Sequence, residues 1–328
     1  MTPSEIIAIR AAQPEEREFV YFHDREVPWL LSNLMPAEAT VPELRKGPGA
    51  RLLERPLVKQ VIAASGGRVL RQDIAATADP NKVQPLTRAG DAGVVAATKQ
   101  VWLPYQITFD EWATEKPKRW APHHQMSRPG GNLVLQVNFP VVQDRIFDSH
   151  LPERERENFE FSDHPVRTEG RPTMAWVRLD IDHDSGQALI EEVQSDWFRY
   201  VTMRRDEVSD DDPESRHLVN LERYEAQLRK GFGKNWARVA LFAALRLLRD
   251  DLGIRTVFYH QPIAGRVLKR ISDSGPPKSL YTDLPRRFAF QPTRFAPDFL
   301  LEHCVLTLGK LRSRPEPLFW RLDFEEAS

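Results

Sequence analysis

Cysteine is almost missing from this chain: Cys304 is the one thiol in 328 residues. That excludes an internal disulfide framework and a cysteine-only metal cluster, and leaves Cys304 the expected role of a small buried hydrophobe. Long apolar runs are missing too. No stretch approaches the ~18 consecutive apolar residues that a spanning helix needs, so no membrane association is expected. Neither sign of charge is in excess: 46 basic against 47 acidic side chains leave a net charge of -1, which gives no global attraction for nucleic acid. The opening MTPSEIIAIRAAQPEERE lacks the basic start and apolar segment of a secretion signal, so cytoplasmic residence is the expectation. A Gly-x-Ser-x-Gly elbow, a Walker loop and a dinucleotide fingerprint are all absent. Nucleophilic, phosphate-loop and nicotinamide chemistry therefore lack sequence support, and no cofactor is expected.

What is present suffices for a folded protein. Hydrophobic residues make up 41% of the chain and charged ones 28%, and the length allows one large domain or two unequal ones. Thr2-Pro3-Ser4-Glu5 reads as a helix start before EIIAIRAA. VPWLLSNLM and RPLVKQVIAAS read as further helices, and RVLRQDIAA and KQVWLPYQITF as strands. The stretch EKPKRWAPHHQMSRPGG, rich in proline, glycine and charge, marks a boundary or exposed loop. It separates a mixed N-terminal region, 1–115, from a sheet-and-helix domain, 116–328. The fold class expected is α+β (or α/β), with an antiparallel or mixed sheet whose central hairpin packs on a buried helix.

That hairpin is TMAWVRLDIDHDSGQALIEEVQSDW, two alternating runs around Asp-Ser-Gly. A three-residue loop, Asp184-Ser185-Gly186, pairs Ile181 with Leu189 and Val177 with Val193. It gathers Ala175, Val177, Leu179, Ile181, Leu189, Val193 and Trp197 on one apolar face. A two-residue loop would set Leu179 against Glu192 and is disfavoured. The opposite face then carries Trp176, Arg178, Asp180 and Asp182 beside Ile190, Glu192, Gln194 and Asp196, with Arg178 across from Glu192 and Trp176 across from Gln194. Glu191 falls on the apolar side, at an edge or paired below the sheet.

Carboxylates at alternate positions of one strand face lie about 7 Å apart, close enough to perturb each other and to share a ligand. Arg178 keeps Glu192 ionised, while desolvation near Trp197 raises Asp196, a separation that suits a base and an acid. Glu192 and Asp196 are thus the candidate catalytic pair. Trp176, Arg178, Gln194, Ser195, Trp197 and His260 are candidate substrate-binding residues. The bland alternative is a wet strand face with an ordinary Arg–Glu pair. Asp180-Ile-Asp182-His-Asp184 lacks the glycine and helices of a calcium loop, so its aspartates are expected to form a turn, and no metal is assigned. His123, His124 and His150 are read as ordinary loop histidines. The charged loop 150–172 is long enough to cover a site.

Downstream, Trp236 to Asp251 is apolar nearly all round, with Gly253 placed to stop a buried helix. RTVFYH reads as a buried strand ending in His260, and PIAGRVLKRI as another helix. Lys230, Gly231, Gly233 and Lys234 form a basic glycine turn at a helix start, a candidate anion site.

Two resemblances follow from these segments. RKGFGKNWARVALFAAL resembles the pyrophosphate-binding turn of GNAT acetyltransferases, although Leu228 stands where that family carries arginine or glutamine. AWVRLDIDHDSGQALIEEVQSDW, followed by NWARVALFAALRLLRDDLGIRTVFY, resembles the Glu-(Ile/Val)-Gln-Ser-Asp-Trp domain of the large polyvalent proteins of phages and mobile elements. The similarity covers about residues 130 to 270, and Phe198-Arg199-Tyr200 replaces the His-Gln that usually follows the tryptophan. It implies a bacterial or phage origin and places a site at Glu192 to Asp196, but no reaction is assigned to that family.

The leading expectation is a cofactor-independent protein whose polar hairpin face holds a peptide or similar polar ligand, with acid–base chemistry as in peptide tailoring. The alternatives are a mobile-element accessory touching single-stranded nucleic acid through PRRF and RFAFQPTRFAP, and an acyl-CoA transferase.

Overall fold

Alternation of apolar and polar residues over Thr173 to Gln194 places the hairpin inside a larger sheet, as the computed structural model of residues 1–79, 103–113, 125–160, 163–167, 169–271, 278–313 and 315–326 shows. The strands are β1 (Arg17–Tyr21), β2 (Glu38–Thr40), β3 (Arg68–Leu70), β4 (Leu103–Ala113), β5 (Gly131–Asn138), β6 (Thr173–Asp182), β7 (Gln187–Gln194), β8 (Thr256–His260), β9 (Gln291–Thr293) and β10 (Phe319–Asp323). Eight of them form one sheet in the order β1-β4-β5-β6-β7-β8-β10-β9, and β2 pairs with β3 in a second. Only β7 and β8 run parallel; the other neighbours are antiparallel. With 13 α-helices among the described residues, the fold is α+β. The sheet runs across the division expected at residue 115, since β1 and β4 precede it and the other six strands follow it.

The hairpin register is half as expected. Trp176, Val177 and Arg178 pair with Gln194, Val193 and Glu192, but Leu179 pairs with Ile190 and Ile181 with Ala188. Glu191 is the extra residue of a β-bulge. The turn is correspondingly His183 to Gly186, one residue longer than predicted. Asp182 shapes it by accepting from the Ser185 amide at 3.1 Å, and Gly186 supplies φ +64.

The bulge reassigns faces. Ala188, Ile190 and Val193 join Ala175, Val177, Leu179 and Ile181 in the main core, while Leu189 crosses to the other face to pack with Phe258 and Phe319. Against the main face lies the helix Trp236–Arg246, buried continuously from Arg238 to Leu245. Gly253, at φ +67, follows its last turn as expected. Phe242 of this helix meets Trp29 edge-on at 5.5 Å and Phe19 at 5.5 Å, so N-terminal residues share the same core. Each such ring pair adds about 0.5–1.5 kcal/mol beyond burial.

An ion cluster fastens the same junction. Asp24, in a left-handed turn at φ +65, accepts from Arg55 at 2.6 Å, Arg287 at 3.0 Å and Arg238. Glu26 accepts from Arg238 Nε at 2.9 Å and from the Tyr21 hydroxyl at 3.0 Å. The Thr2 capping box forms as read. RVLRQDIAA departs from its reading: the strand stops at Leu70 and a helix spans Arg71–Ala76, which buries Ile74.

Candidate functional site

Because the bulge turns Glu191 away from the apolar face, two adjacent carboxylates share the polar side of the sheet. Glu192 pairs with Arg178 and lies 3.5 Å from Lys269 Nζ, which also donates to the Glu191 carbonyl at 3.0 Å. A strap of residues 125–128 crosses above them. Its Gln125 carbonyl accepts from Arg178 at 3.0 Å, the Ser127 amide donates to Glu191 at 2.9 Å, and Arg128 meets Asp180 at 2.7 Å. Cys304, partly buried, donates its thiol to the Ser127 carbonyl at 3.0 Å.

His260, fully buried, places Nε2 3.0 Å from Glu191 and 2.9 Å from the Ser127 hydroxyl. Its Nδ1 meets no partner among the described residues. A Ser–His–carboxylate relay needs the serine and the acid on opposite ring nitrogens. Here one nitrogen serves both, so Ser127 is not an activated nucleophile.

Burial lowers His260, outweighing Glu191, and the ring is neutral at pH 7. Burial alone would raise Glu191, but the hydrogen bond from His260 and the charges of Lys269 and Arg178 hold it down to about 2. Glu192 likewise overcomes burial through Lys269 and Arg178 and stays below its ordinary value. Lys269 is lowered by burial despite Glu192. This end of the face is a closed, charge-compensated floor.

The other end carries the partly exposed His164 and Trp112. Strand β7 stops at Gln194, and Ser195 caps the helix Asp196–Asp211 by accepting from the Phe198 amide. Asp196 therefore lies in the first helical turn, not on a strand, and curls back over the sheet. Three donors converge on it: Trp176 Nε1 at 2.9 Å, Gln194 Nε2 at 2.7 Å and His164 Nδ1 at 2.8 Å. The expected pairing of an acidic Asp196 with a basic Glu192 is replaced by a His164–Asp196 dyad. His164 keeps 20% of its side chain exposed. Half-buried Trp112 lies 6.2 Å from the His164 ring, stacks on Trp176 at 6.3 Å and receives the Arg178 guanidinium over its face at 4.6 Å. Gln136 anchors the covering loop by donating to the Pro165 carbonyl at 2.9 Å.

Glu192, Asp196, Trp176, Arg178, Gln194 and His260 therefore share one face. Trp197 does not. It lies in the main core, on the apolar side where alternation placed it, beside Phe139 and Phe159, and donates to the Tyr224 hydroxyl at 2.7 Å, so it does not line the polar site as a substrate-binding residue. Ser195 is likewise spent on capping and on the Met174 carbonyl. Lys230, Gly231, Gly233 and Lys234 lie in or beside a π-helical turn, Arg229–Gly233, continuous with the preceding helix, so the open amide cradle expected at a helix start is not formed. Of the aromatic residues read as base platforms, Phe288 and Phe290 are core residues and Phe295 alone is exposed. Asp180 is an ion partner rather than a turn former, and His123 and His124 lie outside the described residues. Sequence reading missed Trp112, Ser127, His164 and Lys269 and named Glu191 without giving it a site role; His164 carried a signal in its place in the charged loop proposed as a cover, and Glu191 in being a charge that alternation set on the apolar side.

No family model, curated protein or solved structure matches this chain. No helix among the described residues is long and apolar enough to cross a membrane.

Proposed function

We propose that the chain is a cofactor-independent protein that binds a peptide or peptide-like ligand at the Trp112–His164 mouth and moves a proton there, as in a cytoplasmic tailoring or processing pathway of a bacterium or phage. The observation that carries this reading is the convergence of Trp176, Gln194 and His164 on Asp196 beside an arginine-backed tryptophan. With Nδ1–H given to Asp196, the lone pair of the imidazole is on Nε2, the arrangement of a general base positioned by a carboxylate. Trp112 and Trp176 offer planar apolar surface, and the Gln194 amide and Arg178 guanidinium match the carbonyls and carboxylate of a peptide. Glu192 serves as the counter-charge of Arg178 and Lys269. Arg–carboxylate compensation makes the floor part of the support rather than the reacting centre.

The test is affinity selection of a library of short peptides on the parent protein, followed by calorimetry of retained sequences against Trp112→Ala and His164→Gln. The expected result is a retained set whose affinity falls tenfold or more with Trp112→Ala, a loss of about 1.4 kcal/mol or more. Retention identical on parent and both variants would overturn the proposal.

A further inference from the structure

A second cleft, of about 840 Å³, lies away from the polar hairpin face, between the Lys46–Arg51 turn of the N-terminal region and the Arg286–Pro292 segment that leads into edge strand β9. Among the described residues its charged lining is Lys46, Arg51 and Arg286, and no carboxylate lines it. All three cations are exposed, and among the described residues none has a carboxylate within ion-pair distance.

The chain does not treat its other clustered cations in this way. In a cleft of about 450 Å³ beside Trp29, the arginines face three carboxylates, Asp79, Asp250 and Glu325. Arg156 alone engages Asp144, Asp148 and Glu153. In a protein with balanced total charge, three cations without an ion pair around one concavity create a local positive potential that an anion relieves, although Lys46 also acts at longer range on Glu43.

The remaining lining narrows the anion's class. Arg286 lies over the Trp320 ring at 5.4 Å, making a flat cationic wall. Gln261, which follows the carboxyl end of β8, and Gln291 add amides that both donate and accept. Ala289 lines the same wall in the left-handed region, at φ +61, a conformation that disfavours an alanine. The volume exceeds what inorganic phosphate fills and suits a small organic ligand. Arginine forks match phosphate oxygens two at a time.

We propose that this cleft binds a multiply charged phosphate ester of nucleotide size, its phosphates on Lys46, Arg51 and Arg286 and its planar ring against the Arg286–Trp320 wall.

Calorimetry with ATP, with sodium pyrophosphate and with adenosine, at low and moderate salt, tests this directly. Expected are saturable, salt-weakened binding of ATP, competition by pyrophosphate, no binding of adenosine alone, and a loss of tenfold or more in Arg51→Gln and in Arg286→Gln. Both side chains are exposed, and circular dichroism checks that each variant is folded; Lys46→Gln replaces either one that is not. No heat with ATP or pyrophosphate, or unchanged ATP affinity in the folded variants, overturns the proposal. So does tight binding of an oligothymidylate that pyrophosphate fails to displace, because it would make the groove a nucleic-acid track.

Discussion

Two buried ion clusters hold this molecule together, and their cations differ. Around Asp24 and Glu26 the cations are Arg55, Arg238 and Arg287. Around Glu191 and Glu192 they are Arg178 and Lys269, with His260 as a neutral donor. Arginine keeps its proton at any ordinary pH. A cluster neutralised by arginine alone is a clamp, joining segments more than 200 residues apart without any group that titrates near neutrality except the exposed His23 at its margin. The sheet floor includes a lysine and a histidine, both lowered by burial, and it adjoins the His164–Asp196 dyad. Cation type, more than burial, separates the cluster held by arginines alone from the one whose buried histidine and lysine make it sensitive to pH.

The comparison breaks most sharply at Arg238. Arg238→Met takes from Glu26 its nearest guanidinium, leaving Arg287 Nε at 3.6 Å, and leaves Asp24 with two of its three; removing a central partner from a buried ion cluster costs about 3–5 kcal/mol. Urea unfolding should show that loss. Lys269→Met on the floor should cost less, about 1–2 kcal/mol, because the lysine is already penalised by burial and Arg178 still faces Glu192. Equal losses would erase the distinction between the clusters.

Glu192→Gln is the next largest, about 2–3 kcal/mol, since it strips a carboxylate from between two cations. Adding Lys269→Met removes the surplus charge, so the double variant should regain at least half of that loss in a double-mutant cycle. Strict additivity would mean the two groups do not share a field. Destabilisation here is also why the functional reading rests on His164 and Asp196 rather than on Glu192: a carboxylate that the fold needs is weak support for a reaction.

Much of this was legible in sequence. Alternation placed the hairpin, and the cross-strand pairs Arg178–Glu192 and Trp176–Gln194 followed from matching apolar faces. The Trp236 helix and its Gly253 stop followed from composition. The bulge was not legible. Alternation has a period of two, and one inserted residue reverses every later assignment with no mark in the sequence. Leu189, Ile190 and Glu191 were misplaced for that reason. Ser195 ends the strand as a helix cap, so Asp196 and Trp197 keep the sides that alternation gave them but belong to a helix, and Trp197 serves the core instead of a ligand. Ser127 and Lys269 arrive from distant loops by packing alone, which no local pattern encodes.

Acid should distinguish the clusters by a smaller amount. The folded-state pKa of His260 lies below the ordinary 6.5, so between those values the unfolded chain binds a proton that the native ring refuses. Stability is then complete above pH 6.5 and falls as pH drops below it, by at most about 1.4 kcal/mol per unit. Glu191, held down to about 2 against an ordinary 4.5, adds stability that is present above 4.5 and lost as pH falls toward 2. Asp24, lowered by its arginines against the penalty of burial, behaves likewise in strong acid. Urea midpoints at pH 7.5, 6.5 and 5.5 should therefore decline in the parent and decline less in His260→Asn. His23, also lowered by burial but with 59% of its side chain exposed, should matter less, and an equal flattening in His23→Asn would remove His260 from its assigned role.

The smallest expected change in stability belongs to the residue given the largest chemical role. His164 is partly exposed, bonds Asp196, lies edge-on to Trp176 at 5.5 Å and sits in a loop rather than in the sheet. Glutamine at this position can still donate to Asp196, whose bonds from Trp176 and Gln194 remain. His164→Gln should shift the unfolding free energy by no more than about 0.5 kcal/mol, the usual range for a surface substitution, while removing the imidazole that bonds Asp196. A loss above about 2 kcal/mol would place His164 among the structural groups with Arg238 and Glu192. The His164 end of the sheet would then be a second clamp, and proton transfer would have to be sought away from the hairpin face.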